Sequence, residues 1–142
     1  MTTQAHLGFF DTAVQESYSW IRDILRETGW EDRHYALQAL RGVLHAVRDQ
    51  LTADQSAHLS AQLPVLVRGL YFEGWNPAKA PVVDRDAQVF LDRIRPEFMG
   101  YSDALDFGWL ARAVLRVLKA RVPGEYDKIR AAIPKEVRRI WP

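Results

Sequence analysis

The sequence predicts an all-α protein: a single-domain bundle of about eight helices, built as two tandem four-helix units with pseudo-two-fold symmetry. Three observations carry that prediction. Apolar residues recur at three- and four-residue spacing along most of the chain, the period of a helix with one buried face. No run alternates apolar and polar residues in the manner of a strand. The second half also repeats the first. Ala61-Gln62-Leu63-Pro64-Val65-Leu66-Val67-Arg68-Gly69-Leu70-Tyr71 and Ala131-Ala132-Ile133-Pro134-Lys135-Glu136-Val137-Arg138-Arg139-Ile140-Trp141 share the pattern Ala-x-aliphatic-Pro-x-x-Val-Arg-x-aliphatic-aromatic. Upstream, Val43-Leu44, Val47 and Leu51 answer to Val114-Leu115, Leu118 and Val122.

The first unit spans about residues 9–72. Its first helix is expected from near Asp11 to Thr28, with Val14, Ile21, Ile24, Leu25 and Thr28 inward and Gly29 as the left-handed cap. The second, about Asp32 to Gln50, places Leu37, Leu40, Val43, Leu44 and Val47 on one stripe that continues to Leu51. Thr52-x-x-Gln55 is a capping box for a short third helix carrying Ala57, Leu59 and Leu63. Pro64 then starts a fourth helix through Tyr71 or Phe72. Residues 73–83 are dense in Gly and Pro and form the connector.

The second unit, residues 84–142, begins at Asp84 or Asp86. It carries Phe90, Leu91, Ile94 and Phe98 on a stripe that Pro96 should kink or end. Ser102 is expected to cap a long helix bearing Phe107, Leu110, Ala111, Val114, Leu115, Leu118 and Val122. Pro123 starts a short helix with Tyr126, Ile129 and Ile133, and Pro134 starts a last one ending at Trp141. A lone unit of about 70 residues has a marginal core, so the units are expected to share one.

Composition narrows the classes. With no Cys, the chain has no disulfides, thiolate metal sites or Cys nucleophile. It shows no signal-peptide pattern and no apolar run long enough to span a bilayer, which predicts a soluble, cytoplasmic protein without a membrane role. Net charge is +1, yet residues 1–110 carry 10 basic and 15 acidic side chains while 111–142 carry 9 basic and 3 acidic. That division suits head-to-tail association or an acidic partner; two solvated faces of opposite sign are the simpler reading.

Several segments together resemble a family. These are Gly29-Trp30-Glu31-Asp32, Leu44-His45-Ala46-Val47-Arg48-Asp49-Gln50-Leu51, Ala61-Gln62-Leu63-Pro64, Val67-Arg68-Gly69-Leu70-Tyr71-Phe72-Glu73-Gly74-Trp75 and Pro134-x-x-Val137-Arg138-x-Ile140-Trp141. They are similar to the bacterial proteins of the domain of unknown function 2267 family, over nearly the whole chain. The resemblance implies an all-helical bacterial protein and brings no activity, substrate or cofactor with it.

The repeat also sorts the candidate residues. Arg68 and Arg138 occur in both units, which favours arginines tied to nearby carbonyls or carboxylates over paired anion sites. Residues of the first unit without a counterpart are the better functional candidates. Tyr71, Phe72, Glu73 and Trp75 set aromatic surface beside a carboxylate, either to bind a ligand or partner or to cover the core. His45, Arg48 and Asp49 share one side of the second helix with Arg41, as a general-base arrangement or as a structural ion pair. Arg112, Arg116 and Lys119, with Arg138 nearby, form a basic patch of the kind that meets phosphates. Glu31-x-x-His34 lacks the second pair that a di-iron bundle needs, and His6, His34, His45 and His58 have no zinc spacing, so no metal or other cofactor is expected.

No phosphate loop, nucleophile elbow or catalytic triad occurs, which favours a non-enzyme. The leading expectation is protein–protein association, as an adaptor or homo-oligomer. The alternative is a small-ligand-binding protein or enzyme with a pocket near Arg68, Glu73 and Trp75, and the third is nucleic-acid binding through the basic C-terminal part.

Overall fold

The computed structural model describes residues 2–82, 85–101 and 104–142, with residues 2–7 described by backbone alone. Among these residues there are eight α-helices, two 3-10 turns and no strand. Helix α1 (Thr2–Thr28) begins well before Asp11: Gln4, Ala5 and Leu7 are helix formers, and no proline precedes Asp11. It ends where Gly29, at φ 74°, donates its backbone N–H back to the Leu25 carbonyl. Ala13, Trp20, Ile21 and Ile24 face the core, whereas Val14, expected inward, is exposed.

Helix α2 (Arg33–Asp49) starts at Asp32, whose carboxylate accepts the His34 N–H at 2.8 Å. Leu40, Val43, Leu44 and Val47 are buried along it, and Leu51 just beyond. Gly42 permits a close approach: a Cβ there would sit 3.0 Å from Ile94 Cγ2. Helix α3 (Ala53–Ala61) opens on the Thr52–Gln55 capping box. Ser56, Leu59 and Ser60 are its buried residues, and Ala57, expected inward, is exposed. Helix α4 (Val65–Phe72) follows Pro64, which occupies the cap position.

A 3-10 turn over Pro77–Lys79 crosses between the halves, and the Val82 N–H bonds the Asp49 carbonyl at the end of α2. Helix α5 (Ala87–Asp92) is capped by Asp86; Asp84, the other expected start, lies outside the described residues. The helical stripe then breaks, as Pro96 requires, into a 3-10 turn over Arg95–Phe98. Helix α6 (Phe107–Arg121) is capped by Asp106, which accepts the Trp109 N–H at 3.0 Å; Ser102, expected to cap it, also lies outside the described residues. Helix α7 (Pro123–Ala132) has Pro123 in its first turn, and α8 (Lys135–Arg138) stops short of Trp141. Trp141 is buried nonetheless, tilted against Tyr126 and Phe90.

Two pairs of helices, one from each half, pack together: α2 on α6 and α3 on α7. One hydrophobic cluster takes side chains from both halves, including Leu44 and Val47 from the first and Leu115 and Leu118 from the second. The halves differ in their opening element, a 27-residue helix in one and a six-residue helix plus a 3-10 turn in the other. Helix α1 lies across α6, α2 and α4.

Candidate functional site

Most of the candidate residues of the first unit converge on one polar seam between α2 and the C-terminal end of α4. The last turn of a helix leaves carbonyls without intrahelical partners. Here α2 supplies the donors. His45 Nε2 lies 2.6 Å from the Leu70 carbonyl oxygen, which assigns the ring proton to that nitrogen. Arg48 Nη1 donates to the Tyr71 carbonyl at 3.0 Å and to the Glu73 carbonyl at 2.6 Å. Its Nε donates to Asp49 at 2.9 Å, so Arg48, a residue only 5% exposed, is tied to one carboxylate and two carbonyls. Arg41 adds an ion pair to the Glu73 carboxylate at 2.9 Å. Glu97, which the sequence pattern did not single out, stands 4.0 Å from His45 Nδ1.

This seam is an interhelical tie. Burial holds the His45 imidazole below its ordinary pKa, and the Arg48 guanidinium adds to that, against the Leu70 carbonyl and the Glu97 and Glu73 carboxylates. Its proton-bearing nitrogen is engaged by backbone, so the arrangement positions a helix end. Beside the seam, Arg48, Asp49, Gly74, Asn76, Lys79 and Arg93 bound a small cleft of about 170 Å³.

The aromatic segment packs inward. Tyr71 is fully buried, its hydroxyl 2.9 Å from Ser56 Oγ, and burial pushes its pKa up to about 12. Phe72 rests on the core edge against Tyr71, and Trp75 tilts over Phe72 with ring centroids 5.1 Å apart. Arg68 points away from Glu73 and Trp75, donating to the Ser60 carbonyl at 2.8 Å and the Leu63 carbonyl at 3.0 Å. Arg138 does the same at the other end of the chain, toward Ala131 and Ile133. Both therefore close the preceding short helix, and the structure does not assemble Arg68, Glu73 and Trp75 around a shared cavity.

The basic patch is divided as well. Arg112, Arg116 and Lys119 are exposed along α6, but Arg116 faces Glu27 at 3.9 Å and Lys119 lies over the Tyr126 ring. Arg138 is turned onto backbone, away from them. Among the described residues, no three His, Asp or Glu side chains converge as metal ligands. Nor, among them, is any helix long and apolar enough to cross a membrane.

A predominantly apolar surface feature lies elsewhere. A groove of about 400 Å³ runs between α1, the start of α2 and α4, lined by Val14, Tyr18, Ile21, Arg33, Leu37 and Leu66 among others. Val14, Tyr18 and Leu66 of its lining are exposed, as are Phe9, Phe10 and Val65 elsewhere on α1 and α4, the two phenylalanines at 62% each. Arg33 sits 5.3 Å from the Tyr18 ring centroid, at one end of the groove. The signal was present in the sequence as apolar residues preceding the expected helix start.

No curated protein matches the chain. A family model does, described as "Uncharacterized conserved protein (DUF2267)", and it matches residues 17–140. The chain belongs to that family.

Proposed function

We propose that the protein acts by associating with another protein chain, as an adaptor or homo-oligomer, through the apolar face that α1 and α4 present. One observation carries this reading: Val14, Tyr18 and Leu66 stand exposed in the lining of one groove, with Phe10 exposed one turn before Val14 on α1. Leaving large aromatic and aliphatic side chains in water forgoes roughly 1.5–3 kcal/mol each, and clustered exposure of this kind marks interaction surfaces. Aromatic anchors beside a preformed groove are also the side chains that dominate binding energy when covered. The candidate polar groups of the first unit, by contrast, are occupied within the fold, which favours binding over chemistry. The matched pairs α2–α6 and α3–α7 further support reading the chain as two copies of one ancestral module folded as a single domain.

The test compares proteins recovered on the native chain with those recovered on Val14→Glu and Leu66→Glu. Saturable partners lost from both variants support the reading. A recovered set that neither variant changes overturns it.

A further inference from the structure

Resting on the association just proposed, we infer that the occupant of the α1–α4 groove is a second copy of this chain, docked about a two-fold axis passing near Val14 with the two α1 helices antiparallel.

Residues 9–12 of α1 stand uncovered. Phe9, Phe10, Asp11 and Thr12 are all exposed, although the helix runs through them. Phe10 lies within about 40° of Ser17, Ile21 and Ile24 around the helix, at i+7, i+11 and i+14, so it continues the stripe that faces the core farther along. Helical turns without tertiary packing are marginal in water. Here the core-facing stripe runs past the end of the body it packs on. A second helix laid along α1 supplies what those turns lack.

The same face is self-complementary. A two-fold contact requires one patch to carry both the protrusion and its receptacle. Helix α1 does: Phe10 protrudes at one end, and Val14, Tyr18 and Ile21 line the groove at the other. At 1.5 Å rise per residue, Phe10 and Tyr18 each lie about 6 Å from Val14 along the axis. An antiparallel pair crossing at Val14 therefore sets Phe10 of one copy against Tyr18 of the other, twice.

Charge supports the same register. Asp11 lies on the side of α1 that carries Val14 and Tyr18, at i+3 and i+7, and has no basic residue within the next turn. Arg33 is exposed at the far end of the groove, over Tyr18. The antiparallel pairing carries Asp11 of each copy toward Arg33 of the other. A parallel pairing sets Asp11 beside Asp11. The contact is small, which predicts a dimer of modest, micromolar-range affinity.

The test uses the absence of cysteine. Val14→Cys introduces the chain's single thiol at the axis, where the two copies of a two-fold pair bring the same residue together. Arg112→Cys on α6 serves as the collisional control. Under mild oxidation Val14→Cys is expected to form covalent dimer at least about tenfold faster than the control. Sedimentation equilibrium of the native chain is expected to show monomer and dimer at about 10–100 µM, and Phe10→Asp to return it to monomer with an unchanged thermal transition.

A native chain that stays monomeric through that range, with Val14→Cys no faster than Arg112→Cys, overturns self-docking. If Leu66→Glu still abolishes saturable binding of a different protein, self-docking falls alone and the association reading stands. If neither self-association nor such binding depends on this face, both fall.

Discussion

Arg68 and Arg138 stand in the same relation to the chain that precedes them: each donates to the carbonyl five residues back, Leu63 at 3.0 Å and Ile133 at 2.9 Å. Each also reaches a carbonyl in the short helix before the proline, Ser60 in one case and Ala131 in the other. Pro64 and Pro134 adopt nearly the same backbone angles, φ −58° and −55°, at the caps of α4 and α8. The repeated Pro-x-x-Val-Arg pattern thus builds one local device twice: proline begins a helix, and the arginine four residues on closes the helix before it.

Removing either arginine takes a charged donor away from two helix-end carbonyls. Arg68→Ala and Arg138→Ala are each expected to lower stability by about 1–3 kcal/mol in urea unfolding. Arg68→Lys should recover only part of the loss, since an ammonium does not reproduce the guanidinium fork. Wild-type midpoints for both alanine variants would contradict the device.

Arg48 ties α2 to α4 from a nearly water-free position. Arg48→Met keeps the aliphatic stem but leaves the Tyr71 and Glu73 carbonyls without that donor and Asp49 without its nearest cation. A loss of about 2–4 kcal/mol is expected. An unaffected unfolding midpoint would show that the seam is dispensable.

His45 makes stability depend on pH in a definite direction. Its pKa is lowered in the fold, so below 6.5 the unfolded chain binds the proton first. The stability it contributes is fully present above 6.5 and is lost as pH falls from there through the lowered folded value. The sign follows from the unfolded state holding more protons in that window. His45→Gln should therefore flatten the stability-versus-pH curve just below 6.5 relative to the native chain. Parallel curves for the two proteins would count against the assignment.

Gly42 allows Ile94 and the following 3-10 turn to lie directly on α2. Gly42→Val places methyl groups where Ile94 Cγ2 and Glu97 Cγ already stand, and overpacking of this kind costs about 1–3 kcal/mol. The variant should unfold at lower denaturant although valine suits a helix better than glycine. Increased stability would mean that the turn moves aside freely.

Leu66→Glu changes an exposed side chain at the mouth of the groove, so folding stability should stay within about 0.5 kcal/mol. Binding through the groove should weaken at least tenfold, since the variant sets a carboxylate against apolar surface. Thermal unfolding and a binding isotherm measured on the same preparation separate the two effects.

The helices were largely legible in the sequence because their signals are local. The Thr52–Gln55 box, the prolines at positions 64, 123 and 134, and the three/four spacing of Leu40, Val43, Leu44 and Val47 each act within one or two turns. Where the reading departed from the structure, a local signal was ambiguous or absent. Asp11 looks like a helix-opening acid but lies inside α1, and Asp106 competes with Ser102, the candidate cap four residues before it. The exposure of Val14 depends on where the core ends, which helical period does not encode. The α2–α4 seam joins residues 23 to 25 positions apart, as Arg48 to Tyr71 and to Glu73, and such pairs leave no periodic trace. Residues 71–76 read as a candidate site because aromatic residues that cover a core and those that line a pocket look alike until their surroundings are known.

The most direct measurement places a photo-crosslinking amino acid at position 66, and in a parallel sample at position 112, in the intact protein inside cells. The account predicts light-dependent covalent adducts of defined mass from position 66, suppressed by Val14→Glu and absent from position 112. Equal yields at the two positions, or adducts at 66 that persist with Val14→Glu, would contradict association through the α1–α4 face.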